Sequence, residues 1–195
     1  MKKFFTIILI LACSHAFAQD SLKTFNADRI RTTTSGMAVL GSWGVLNLGT
    51  GAVGWNIANR GEGRYFFQMN TIWGAANFGV ALIGLTGVQN EKGKKISASE
   101  SLKRQERLEK IFKVNGILDI AYLGAGIYLK VAGDSRNSPI MKGYGESVIL
   151  QGGFLLIFDG LMYHAEKGNG TKLRNFLEKH PITFDGKRVG MVFNM

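Results

Sequence analysis

The sequence predicts an all-α protein: a membrane four-helix bundle, arranged as a duplicated two-helix hairpin, with a short C-terminal amphipathic helix and a hairpin-like tail. Three observations predict it. Residues 32–59 and 65–90 carry no charged side chain, and each stretch exceeds the ~20 apolar residues a membrane-spanning helix needs. Two further stretches, between Lys113 and Lys130 and from Ser147 to Ala165, carry one acid each, Asp119 and Asp159. The apolar runs do not alternate with period two, which argues against a transmembrane β-barrel.

The N-terminus reads MKKFFTIILILACSHAFAQD. Lys2 and Lys3 precede a short apolar run, Phe4 to Ala12, and Ala16-Phe17-Ala18 is a small-x-small cleavage site. That is the pattern of an exported chain, with residues 1–18 as signal peptide and cleavage before Gln19. Ile10-Leu11-Ala12-Cys13 also has the outline of a lipoprotein box, and an uncleaved anchor is the other alternative. Cys13 is the single cysteine. Its removal leaves no thiol for disulfides, nucleophilic catalysis or cysteine zinc sites. Loss of Lys2 and Lys3 lowers the formal charge from +10 to +8. A basic exported chain suits anionic lipid headgroups, and export argues against nucleic acid as a partner.

Residues 19–165 are expected to hold the four-helix membrane domain, with helices at about 36–57, 65–88, 111–132 and 144–165. Glycines abound in the first. In water each mid-helix glycine costs about 0.5–1 kcal/mol relative to alanine. In lipid, small residues let backbones approach. Thr50, Gly54 and Ala58 form one small-residue row; Ala75 with Gly79 and Ala121 with Ala125 form two others. Trp43 and Trp55, and Tyr65 with Phe66, fit the two bilayer interfaces. The glycines do not make a phosphate loop, because no Lys-Ser or Lys-Thr follows them. A soluble bundle with buried helices is the competing fold, and the mean hydropathy of +0.05 is low for a membrane protein, although the polar tails dilute it.

Gly44-Val45-Leu46-Asn47-Leu48-Gly49 aligns with Gly116-Ile117-Leu118-Asp119-Ile120-Ala121, and Gly54 then falls on Gly126. In the second and fourth helices Gly74 can be matched to Gly152, or Asn77 to Asp159. This suggests two hairpins of one origin and orientation. Asn47, Asn77, Asp119 and Asp159 become a candidate intramembrane polar cluster. Polar groups in hydrocarbon need partners. They either hold helix register through hydrogen bonds or bind an ion, proton or small solute.

Ser97-Ala98-Ser99-Glu100 is a capping box, and Glu100–Arg104 and Glu106–Lys110 are i,i+4 pairs, so a solvated helix should start here and run into the third span. Residues 166–195 form a basic tail. Lys167-Gly168-Asn169-Gly170 reads as a break. Leu173, Phe176 and Leu177 then make the apolar stripe of a short interfacial helix. Ile182 to Val189 resembles a hairpin turning at Asp185-Gly186. A cleaved signal places the new N-terminus, residues 89–113 and the tail outside. Those segments carry seventeen lysines and arginines against five in the other two loops, the reverse of what the positive-inside rule asks.

No nucleophile elbow, HExxH, kinase or P-loop pattern is present. Of His15, His164 and His180 only His164 lies in a span, too few for a bis-histidine haem. Catalytic, cofactor-binding and metal-binding residues are accordingly assigned to none, and a membrane enzyme would need a polar pocket joining His164 to acids of another helix. Trp43-Gly44-Val45-Leu46-Asn47, Gln68-Met69-Asn70 with Trp73-Gly74-Ala75-Ala76-Asn77, and Phe158-Asp159 give the chain a resemblance to an uncharacterised family of exported bacterial four-helix membrane proteins. The resemblance implies four membrane helices and supplies no activity. The expectation is therefore an integral protein of the bacterial inner membrane with a structural or protein-interaction role. The alternative is a small channel or transporter subunit using the four polar residues. The expected partners are the lipid bilayer and its anionic headgroups, with a second copy or another membrane protein, and no cofactor.

Overall fold

The computed structural model describes the backbone of residues 2–179 and of two short strands, and the side chains of residues 21–179. Four helices follow one another: α1 (Lys2–Ile57), α2 (Glu62–Gln89), α3 (Ala98–Ser135) and α4 (Pro139–Lys179). Each is long and apolar enough to cross a membrane, by length and composition. After them β1 (Ile182–Phe184) pairs antiparallel with β2 (Val189–Met191). The expected signal peptide, its expected cleavage site and Cys13 lie outside the described side chains, and the expected Asp185-Gly186 turn outside the described residues.

The helix ends follow local chemistry. α1 stops at Ile57, and Gly61 takes φ 152° between it and α2. α3 absorbs the charged connector into one helix of 38 residues. Ser97 caps it, its Oγ accepting from the Glu100 amide at 3.2 Å, and Arg104 donates to Glu100 at 2.6 Å.

α4 departs from the expected pattern. There is no break at Lys167-Gly168-Asn169-Gly170, and no separate short C-terminal helix; α4 runs unbroken for 41 residues. Buried positions Met162, Glu166, Gly170, Leu173 and Leu177 recur at three- and four-residue steps through the glycines. Leu173 and Leu177 pack with Ala98, Leu22 and Phe25, so this stripe faces protein. Tertiary packing outweighs the weak local propensity of two glycines.

Neighbouring helices in sequence run antiparallel. α1 closes on α2 and α3 on α4, and α4 also lies along both α1 and α2. The closest approaches are backbone to backbone. A Cβ on Gly44 would lie 2.6 Å from Phe78 N, and one on Gly145 would lie 2.6 Å from Lys130 N. Gly44 faces Gly74 across the first hairpin, and Gly145 faces Gly126 across the second. These are not the rows expected. Ala75, Ala121 and Ala125 are exposed, Gly79 meets nothing, and Thr50 is exposed beside a buried Gly54. Of the aligned hairpin positions, Gly54 and Gly126 both abut the second helix of their own hairpin, but Gly116, unlike Gly44, meets nothing.

Trp43 is half-buried and packs against α4. Its indole stacks on Phe154 at 4.1 Å between centroids, and its Nε1 donates to Gln151 at 2.8 Å. An apolar core of Met37, Leu40, Ala81, Phe112, Leu155, Phe158 and Met162 joins all four helices. Elsewhere the usual polarity is inverted. Ser147 and Gln151 are wholly buried, whereas Ile57, Ile83, Ile157 and Leu161 are each more than 65% exposed.

Candidate binding site

Three polar layers cross the bundle. The first centres on Gln151 of α4. Its Oε1 accepts from Trp43 Nε1 at 2.8 Å and from Asn77 Nδ2 at 3.3 Å. Its Nε2 donates to Asn47 Oδ1 and to Asn70 Oδ1, both at 2.8 Å, and Ser147 Oγ also donates to Asn70 at 2.8 Å. Every arm of this amide is used, so α1, α2 and α4 are pinned in one register. Asn47 spends its remaining amide on the Trp43 carbonyl at 2.8 Å.

A second layer lies where the α2–α3 connection meets residues 26–33 of α1. Glu166, wholly buried, accepts from Thr33 Oγ1 and from Gln105 Nε2, each at 3.0 Å, and Gln105 also donates to the Glu166 carbonyl at 2.7 Å. Beyond it Arg29 and Arg104 both grip Glu91, at 2.8 and 3.0 Å, and Arg174 pairs with Glu109 at 3.0 Å. This end is tied by charge as well as by apolar contact. The opposite end has two pairs, Lys130–Glu146 and Lys142–Asp134.

The third layer is less complete. Asp119 of α3 and Asp159 of α4 are 2% and 4% exposed, and their carboxyls are close enough to interact. Asn115 Nδ2 reaches Asp159 Oδ1 only at 3.5 Å. Among the described residues no donor reaches Asp119 Oδ2. A buried acceptor left without a donor costs about 1–3 kcal/mol, more when charged. The pair opens into a cavity of about 360 Å³ between α2 and α3, with Asn77 and Thr33 also on its wall. α4 and α1 form its floor, while Val80 and Ile83 of α2 and Leu118 of α3 form exposed lips.

The four residues singled out from sequence therefore divide. Asn47 belongs to the Gln151 layer. Asp119 and Asp159 face each other at the cavity. Asn77 touches both, bonding Gln151 and lining the cavity. Sequence reasoning missed Gln151, Asn70, Asn115 and Glu166. The first three are uncharged and vanish in a search for charge; Glu166 fell just past the expected end of a span. His164 is exposed, away from any such pocket. No cluster of three metal-ligating side chains exists among the described residues.

No curated protein and no solved structure matches the chain. A family model does match, over residues 39–160, which takes in α2, α3, both glycine crossings, the Gln151 layer and both acids. Since it covers more than half of the chain, the protein belongs to a family of unknown function, DUF6992.

Proposed function

We propose that this is an integral protein of the bacterial cell membrane that binds a small ligand at the acid-floored groove between α2 and α3, as a small transporter or binding subunit. Its first 18 residues act as the export signal, in keeping with Lys2, Lys3 and Ala16-Phe17-Ala18. The inverted polarity supports the bilayer. Buried amides and acids within an apolar outer belt suit hydrocarbon, because only there is an isoleucine surface solvated and a polar side chain driven inward. Two hairpins of similar glycine-mediated packing also support an origin by duplication, with Asn47 and Asp119 as counterparts.

The binding role rests on one observation: Asp119, almost fully buried and with one carboxyl oxygen that no described donor reaches, lines a cavity that opens sideways. Every arm of the Gln151 amide, by contrast, has a partner. Groups held in an unfavourable state at a cleft mark functional sites. The structural and interaction role remains the second reading, and the Gln151 layer is what favours it.

Stability decides between them. Asp119→Asn puts an amide donor beside Asp159 and removes a buried charge. If the acids exist for binding, the variant should be more stable than wild type by about 1 kcal/mol or more, as function-for-stability exchanges are. Thermal unfolding of the detergent-purified protein measures it. A clear loss of stability in Asp119→Asn would mean that the carboxyl pair holds the bundle together, and the binding role would lose its basis.

A further inference from the structure

The chemistry of the groove narrows its ligand, given the binding role argued above. Two carboxyls facing each other away from water need a proton or a cation between them. Among the described residues no lysine, arginine or histidine lines the cavity, so none of them supplies a countercharge there. The available acceptors are the Asp119 oxygen without a donor, the Asp159 carboxyl and the Asn115 side-chain carbonyl, a set that matches the three N–H donors of a primary ammonium group.

The rest of the cavity is apolar and aromatic. Phe112 and Phe158 meet at 6.3 Å in an edge-to-face pair beside the acids, and Tyr122 closes the same wall. Aromatic faces near a cation add attraction. The lips at Val80, Ile83 and Leu118 are open to the side, so an amphiphile could enter from the hydrocarbon without crossing the polar ends. A volume of about 360 Å³ falls at the small end of ligand cavities, which typically span ~300–1,000 Å³. A bare metal ion is poorly served, for want of a third acidic or histidine ligand.

We propose that the groove between α2 and α3 binds a lipophilic primary ammonium ion, its head between Asp119 and Asp159 and its short alkyl body along the apolar wall. The ammonium donates to both carboxyls and neutralises the charge that the bundle leaves uncompensated. A hydroxyl of the same length gains the wall contacts and loses the charge pairing. A quaternary ammonium keeps the charge and loses the hydrogen bonds.

The test uses the full processed chain in nanodiscs of zwitterionic lipid at neutral pH, titrated calorimetrically with octylammonium and corrected against empty discs. Octanol, tetramethylammonium and sodium serve as comparison probes. Saturable binding of octylammonium is expected, at least tenfold tighter than octanol or tetramethylammonium. Asp119→Asn and Asp159→Asn should each weaken it tenfold or more. Val80→Trp, which touches neither acid, should weaken it by narrowing the mouth; Ile83→Trp serves if that variant fails to fold. Equal affinity for octanol, sodium competition at equal concentration, or unchanged binding by Asp119→Asn would overturn the assignment. So would cross-linking that places a second copy across Val80 and Leu118. If octylammonium does not bind but Asp119→Asn is still stabilised, the ligand class is wrong and the binding role stands. If Asp119→Asn is destabilised, both fall.

Discussion

Replacing Gly74 by leucine is expected to force α1 and α2 apart and to remove most of the folded protein. A Cβ at Gly74 would strike the amide nitrogen of Leu48, with the Gly44 carbonyl 2.8 Å away. These are backbone atoms of a paired helix, and no rotamer change relieves them. Overpacking a core that can adjust costs about 1–3 kcal/mol. Where only a whole helix can move, the expected cost exceeds about 4 kcal/mol, the range of the most damaging single substitutions. Gly49 is the control. It lies in the same helix as Gly44, but a Cβ there meets nothing within 4 Å. Gly49→Ala should be neutral or stabilise by up to about 1 kcal/mol through lower backbone entropy in the unfolded chain. Thermal unfolding of both variants in detergent, with the yield of monodisperse protein, checks the contrast. Similar behaviour of the two would mean that the helices do not touch at Gly74.

The second large effect is expected at Gln151. Gln151→Leu keeps the volume and removes four hydrogen bonds at once. Trp43 Nε1 and Asn77 Nδ2 lose their acceptor, and Asn47 Oδ1 loses its interhelical donor, while Asn70 keeps Ser147. A single interhelical hydrogen bond in a membrane protein averages only about 0.6 kcal/mol, because the separated helices find other partners. Here several groups stay buried in the folded bundle with nothing to pair with, and each such group costs about 1–3 kcal/mol. The sum should approach about 3 kcal/mol or more, with loss of the fixed register between α1 and α4. Unfolding measurements give the energy. Cross-linking between α1 and α4, from cysteines at Trp43 and Phe154, reports the register. A destabilisation below about 0.5 kcal/mol would show that the layer contributes little.

Much of the architecture was legible because charge is a strong signal. The uncharged stretches mark the C-terminal ends of α1 and α2, expected at 57 and 88 and observed at 57 and 89, whereas α1 is helical from Lys2, well before the expected start at 36. The Ser97 capping box marked the start of α3 for an equally local reason. What failed was any reading that needed to know which face of a helix meets protein. Ala75–Gly79 and Ala121–Ala125 have suitable spacing but make no helix contact, whereas Gly44 and Gly74, which belong to no small-residue row, carry the contact. A rule visible afterwards is that the contact glycines share a face with amides: Gly44 with Asn47, Gly74 with Asn70 and Asn77. In an inverted bundle the polar side chain, not the small one, marks the inward face.

The site was half legible. Asp119 and Asp159 stood out as the acids of two otherwise uncharged stretches, and the structure places them together. Gln151 did not stand out, because an amide in an apolar run carries no charge and repeats no motif. The C-terminal error at 167–170 has the same origin. Local propensity alone predicts a break at Gly168 and Gly170, but Gly170 packs against Glu109 and Asn169 bonds Thr32 at 3.1 Å, and those contacts carry α4 through.

Everything functional here depends on the exposed apolar belt being solvated by hydrocarbon. Spin labels on single cysteines along α3, in a Cys13→Ser background reconstituted in bilayers, measure that directly. At Ile120 and Ile127, both more than half exposed, collisions with lipid-soluble oxygen should dominate, while at Arg107 a water-soluble nickel chelate should dominate. If Ile120 and Ile127 are as open to the nickel chelate as Arg107, the belt faces water and the membrane account is wrong.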